Sequence, residues 1–129
     1  MTAHRILQLN AASTAACAVG MLLARGTLYS LFGLDTPMFL DVLAVGFLVY
    51  AGALTFAAAR PPVNRSTLMA FTIADALWVG ASAVVLLIFW GQLTPVAHVL
   101  VIATALIVEV FATLQFRAAG RADRPQLAN

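Results

Sequence analysis

The sequence predicts an all-α membrane fold, a bundle of four transmembrane helices, and three observations predict it. Of 129 residues, 63% are apolar and only 9% are charged, whereas a soluble domain devotes about a quarter of its residues to charge. Mean hydropathy is +0.98, so most of the surface must meet something other than water. The apolar residues also fall into four continuous stretches, each near the ~20 residues that cross a hydrocarbon core of ~30 Å. These stretches are rich in Ala and Leu and lack the alternation of barrel strands, which argues against a β-barrel.

The four spans nearly fill the chain and leave a single four-helix membrane domain over residues 1–129. The first span covers residues 5–31. Its basic start (His4, Arg5) and the small residues around Ala15, Ala16 and Cys17 resemble a signal peptide. However, Gln8, Asn10, Ser13 and Thr14 interrupt its apolar region, and it is expected to be retained as a helix. The second span, residues 37–59, starts at Asp35-Thr36-Pro37, with a side-chain acceptor at the cap and proline in the first turn. Arg60-Pro61-Pro62 stops it. The third span, residues 67–90, is capped by Asn64 or Ser66. Gly91 to Pro95 makes a tight turn into the fourth, residues 95–116, and a polar, frayed tail covers residues 117–129.

Positive charge on short loops marks the cytoplasmic side of a membrane protein. Arg5, Arg60, Arg65, Arg117, Arg121 and Arg124 belong to the N-terminus, the middle loop and the tail. An up-down-up-down bundle puts those three regions on one side, so both termini are expected in the cytoplasm. The opposite loops carry no basic residue, and Arg25 lies near the outer end of the first span. Tyr29, Phe32 and Trp90 sit near the outer interface, where amphipathic rings settle.

Small residues recur at four-residue spacing: Ala12, Ala16 and Gly20; Ala53 and Ala57; Ala76 and Gly80. In lipid such faces let helix backbones approach closely. Packing within the bundle is the first reading of them, and a homodimer face the second.

Ionisable groups inside a membrane are costly and are functional candidates by default. At ~1.5 Å of rise per residue, Asn10, Asp75 and Glu109 share one layer ~10–12 Å from the cytoplasmic end. Arg25, Asp41 and His98 form a second polar layer toward the outer face, with Asp41 neutralising Arg25. At ~100° per residue, Asn10, Ser13, Thr14, Cys17 and Met21 make one stripe, and Thr72, Asp75 and Ser82 another. His98, Glu109 and Thr113 align on the fourth span, and Asp41 and Thr55 on the second, with Tyr50 pointing away from that pair. The simplest bundle turns all four stripes inward. Asn10, Asp75, Trp78 and Glu109 then form a candidate intramembrane polar site, with two readings. In the plainer one, the groups hydrogen-bond one another and fix helix register. In the other, Asp75 and Glu109 are a proton- or substrate-binding pair, and Trp78, one turn from Asp75, lines its pocket. Gln115 is expected at the interface.

Catalytic signatures are missing. The sequence has no phosphate-cradling glycine loop and no zincin motif. Cys17 and His98 lie at different depths, too far apart for a nucleophile and its base. His4 and His98 belong to opposite faces, so no metal site is expected, and no cofactor. The net charge of +2 gives no reason to expect nucleic acid. The expected partners are the lipid bilayer and a homo-oligomer or larger membrane complex.

The stretches Leu31-Phe32-Gly33-Leu34, Ala74-Asp75-Ala76-Leu77-Trp78-Val79-Gly80-Ala81-Ser82 and Leu114-Gln115 resemble a pattern in small, uncharacterised bacterial four-helix integral membrane proteins. The resemblance spans nearly the whole chain. It implies the four-helix topology and a bacterial inner (plasma) membrane, and it marks Asp75, Trp78 and Gln115 as pattern residues, without lending a reaction or ligand. The function expected from all this is a non-enzymatic accessory, scaffold or lipid-interacting module. The alternative is a proton-coupled transporter or channel acting as a homo-oligomer through Asp75 and Glu109.

Overall fold

The structure, a computed structural model, describes residues 2–33, 38–60 and 62–122. Among these residues the fold is all-α: α1 (Ala3–Leu23), α2 (Arg25–Leu31), α3 (Met38–Ala58), α4 (Arg65–Phe89) and α5 (Pro95–Ala122). All but the short α2 are long and apolar enough to cross a membrane. The Asp35-Thr36-Pro37 start and the tail from residue 123 lie outside the described residues.

The first span is not the continuous helix expected over residues 5–31. It breaks at Ala24, whose backbone (φ −105°, ψ 19°) leaves the helical region, and α2 resumes at Arg25. The break puts Arg25 at the head of α2, where its Nη2 donates to Asp41 Oδ2 at 2.7 Å. Helix α2 ends at Leu31, and the chain turns at Gly33, whose φ of +68° is a left-handed conformation open to glycine and strained for side-chain-bearing residues. That requirement accounts for the glycine in Leu31-Phe32-Gly33-Leu34.

Helix α4 starts as expected, with Asn64 Oδ1 accepting from the Thr67 amide at 2.8 Å, a side-chain N-cap. Thr94 does two jobs at the head of α5. Its hydroxyl accepts from the Ala97 amide at 3.2 Å and donates to the Leu31 carbonyl at 2.9 Å, tying the turn before α5 to the end of α2. Helix α5 continues to Ala122, past the boundary at 116, so Arg117 and Arg121 are helical rather than part of a frayed tail.

Helix α1 packs along α3 and α4 along α5, and the two pairs meet mainly through α1 and α5. Of the small residues expected at these contacts, Ala57 packs against the core and the others do not. Ala12, Ala16, Gly20, Ala53, Ala76 and Gly80 are exposed, and a Cβ added at Gly20 or Gly80 would meet nothing. Between α1 and α3 the buried small residues are Ala11 and Ala18 on α1 and Ala44, Ala51 and Ala58 on α3, in both cases seven apart. A seven-residue repeat keeps one seam facing a neighbour along a gently supercoiled pair, and alanine there lets the backbones close together.

At one end of the molecule the start of α1, the end of α3, the start of α4 and the end of α5 share a single core: Ile6, Leu7, Ala11, Leu54, Ala58, Leu68, Ala118 and Ala119. Beyond this core lies the polar layer.

Candidate functional site

Next to the apolar core, each long helix contributes one polar side chain to a common junction. Asn10 lies one turn beyond Ile6 and Leu7 on α1 and is 2% exposed, Asp75 on α4 is 3% exposed and Gln115 on α5 is 0% exposed. Tyr50 comes from α3.

The carboxyl of Asp75 is the hub. Its Oδ2 accepts from Asn10 Nδ2 at 3.0 Å and from Gln115 Nε2 at 2.8 Å. Its Oδ1 accepts from the Tyr50 hydroxyl at 2.7 Å. Asn10 Nδ2 also donates to Gln115 Oε1 at 2.8 Å, and Asn10 Oδ1 accepts from the Thr14 hydroxyl at 3.2 Å. This pattern fixes both amides, because turning Asn10 over would set its Oδ1 against the Asp75 carboxyl. Four of these bonds cross between helices. At an average of ~0.6 kcal/mol each in a membrane they are worth ~2–3 kcal/mol together, enough to specify register but not to hold the fold alone.

Beyond the junction, away from the core, the pairs part around a partly open cavity of about 170 Å³. Asn10, Thr14 and Cys17 line it from α1, as their stripe predicted. Tyr50 and Asp75 border it, and Trp78 forms part of its wall. Trp78 meets Phe47 edge-on, with ring centroids 4.8 Å apart, and its buried indole N–H has no acceptor.

The expected layer is therefore partly assembled. Asn10 and Asp75 come together and Trp78 stands beside them, but Glu109 does not join. It is exposed on α5, and the helical repeat explains why. Ala97, Phe111, Ala112, Gln115 and Ala119 follow one side of α5, and Glu109, six residues before Gln115, is turned ~120° from it. The His98–Glu109–Thr113 alignment is real, but Glu109 and Thr113 are both exposed. Gln115, expected at the interface, is instead fully buried in the junction.

On α3 the expected stripe likewise gives way to another residue. Asp41 pairs with Arg25, and the Thr55 hydroxyl bonds back to the Ala51 carbonyl at 2.8 Å. Neither needs the interior, so α3 turns Tyr50 inward. Tyr50 precedes Leu54 by one turn, and that periodicity is the sequence signal that could have identified it.

The outer layer is also divided. Arg25 and Asp41 meet as expected, and Asp41 Oδ1 is buried without a partner. His98 is held elsewhere: its ring stacks on Trp90 with centroids 4.0 Å apart, and its Nε2 lies 2.9 Å from the Trp90 carbonyl.

No family model, curated protein or solved structure matches the chain. That agrees with a resemblance limited to proteins without an assigned role, and the functional reading rests on this geometry.

Proposed function

We propose that the chain is a multi-pass membrane protein acting as a non-enzymatic module, one that holds a small amphiphilic molecule between two helix pairs. The observation that carries this reading is the cavity itself. Its floor is Asn10, Tyr50 and Asp75, with Gln115 bonded behind them, and its walls are mostly apolar. A buried apolar cavity of ~150 Å³ holds a molecule the size of benzene, so about 170 Å³ accommodates a small ligand or the end of a longer one entering from the lipid. The junction side chains bond chiefly to one another, which suits a binding floor better than a reactive centre.

In this reading the four spans run up-down-up-down through a bacterial inner membrane, with both termini in the cytoplasm. What supports that orientation is the shared core at one end, because Arg5, Arg60, Arg65, Arg117 and Arg121 belong to the chain segments that converge there. A single cysteine placed in the 60–65 turn tests it, since labelling from outside intact cells would reverse the orientation.

The binding role is tested on the full chain in lipid nanodiscs. A panel of small amphiphiles is expected to raise its melting temperature, and Ala74→Phe, which fills the cavity, is expected to abolish the effect. Stabilisation that survives Ala74→Phe would remove the cavity from the account.

A second reading, a carrier, is favoured by one observation: Asp75 borders a cavity that is partly open. It would work through Asp75 with Glu109 contributing only across an oligomer, since the two do not meet within one chain. Proton-coupled flux in reconstituted vesicles, lost in both Asp75→Asn and Glu109→Gln, would establish it over the module.

A further inference from the structure

We infer that the ligand of this cavity is a small lipophilic amine, bound as its ammonium ion to Asp75 and enclosed by aromatic rings. The inference rests on the binding role just proposed for the same cavity and names the class of molecule.

The first support is a count of lone pairs. The two oxygens of a carboxylate offer about four acceptor directions. On Asp75, Oδ2 takes Asn10 and Gln115, while Oδ1 takes Tyr50 alone, so one direction on Oδ1 is unfilled. Asp75 lines the cavity, where a ligand N–H can fill it.

The second support is charge. All three donors on Asp75 are neutral, and among the described residues no Arg, Lys or His lines the cavity. The Arg25–Asp41 ion pair involves neither Asp75 nor any lining residue. A carboxylate in a low-dielectric setting retains its charge at great cost unless a cation accompanies it. Among the described residues the lining supplies none, so a cationic ligand brings the partner charge that the three neutral donors do not.

The third support is the wall. Phe47, Tyr50, Trp78 and Phe111 line the cavity from three helices, and ring faces attract organic cations, Trp most strongly. An inorganic ion is a poor fit. Hard cations take six or more oxygen ligands, and this wall offers rings and aliphatic groups in their place. An anion is excluded by Asp75.

The test uses the full chain in nanodiscs of zwitterionic lipid, with Trp78 fluorescence as the readout in a Trp90→Phe background and protein-free nanodiscs correcting for partitioning. The probes are benzylamine and its neutral near-isostere, benzyl alcohol. Benzylamine is expected to saturate at least about tenfold lower in concentration, the factor that one charge-assisted hydrogen bond provides. Asp75→Asn is expected to erase the preference. Phe111→Leu, which leaves the junction intact, is expected to weaken benzylamine more than benzyl alcohol and guards against misfolding of the Asp75 variant. Equal binding of the two probes would overturn the amine assignment and leave the cavity a site for neutral amphiphiles. Binding of neither would overturn both this inference and the binding role beneath it.

Discussion

The Tyr50 hydroxyl donates to Asp75 at 2.7 Å and joins α3 to α4, two helices whose backbones stay apart. The Tyr50 ring also meets Phe71 of α4 edge-on, with centroids 5.7 Å apart. One side chain thus carries a polar and an apolar link across the gap between the helix pairs. Tyr50→Phe keeps the ring contact and removes the hydrogen bond. It is expected to destabilise the fold by ~0.6 kcal/mol and by no more than ~1.7 kcal/mol, the range for single membrane hydrogen bonds. Tyr50→Leu loses both links and should cost more. Reversible unfolding in mixed micelles measures both, and equal losses would mean that the hydroxyl contributes nothing.

Replacing Asp75 separates shape from hydrogen bonding. Asp75→Leu strands one N–H each of Asn10 and Gln115, a buried donor left unmet costing ~1–3 kcal/mol, and leaves the Tyr50 hydroxyl only the Phe71 carbonyl at 3.4 Å. Asp75→Asn retains one acceptor oxygen but aims its own NH₂ at donors on the other side, so part of the junction is frustrated. The expected order of stability is wild type, then Asn, then Leu, read as midpoints of unfolding. A leucine variant as stable as the asparagine one would show that the junction does not fix the register of the helices.

The four spans were legible because hydrophobic length is a strong signal and needs no partner to interpret it. Asn64 was legible as a cap because that chemistry is local. The inward side of each helix was harder to read. Polar stripes identified Asn10 and Asp75, whose groups have no local acceptor to satisfy them. They misled on α3 and α5, where Thr55 bonds its own backbone, Asp41 finds Arg25 and Glu109 sits on the exposed side. The inward direction there follows the apolar seam through Ala44, Ala51 and Ala58 and that through Ala97, Ala112 and Ala119. Tyr50 was missed because it points away from the Asp41–Thr55 stripe, and Gln115 because glutamine near a span's end looks interfacial until the seams are drawn. The break at Ala24 has no proline to announce it.

Cys17 provides a direct probe of the cavity, being half-buried and part of its lining. A small methylating disulfide reagent is expected to modify it in nanodiscs, whereas a bulky maleimide is excluded by a space of about 170 Å³. Ala74→Phe is expected to slow even the small reagent several-fold. Mass spectrometry of the intact chain reads the extent of modification. Rapid labelling by the bulky reagent would mean that Cys17 faces open lipid or water.

Glu109 makes the opposite prediction from Asp75. It is exposed, it lies mid-way along α5, and among the described residues no hydrogen bond or ion pair holds it. Substitutions away from packed or hydrogen-bonded features usually change stability by less than ~0.5 kcal/mol, and a lipid-facing carboxylate gains nothing from its surroundings. Glu109→Gln is therefore expected to leave the unfolding midpoint unchanged, and Glu109→Leu to leave it unchanged or raise it. Both should retain the benzylamine preference, because neither alters the cavity lining. If Glu109→Leu instead lowers the midpoint in a way that depends on protein concentration, the residue is covered by a second copy in the membrane, and the two helix pairs are only part of the working assembly. Sedimentation of the wild type and the leucine variant in the same detergent separates these cases, because only an assembly held through Glu109 changes mass on substitution.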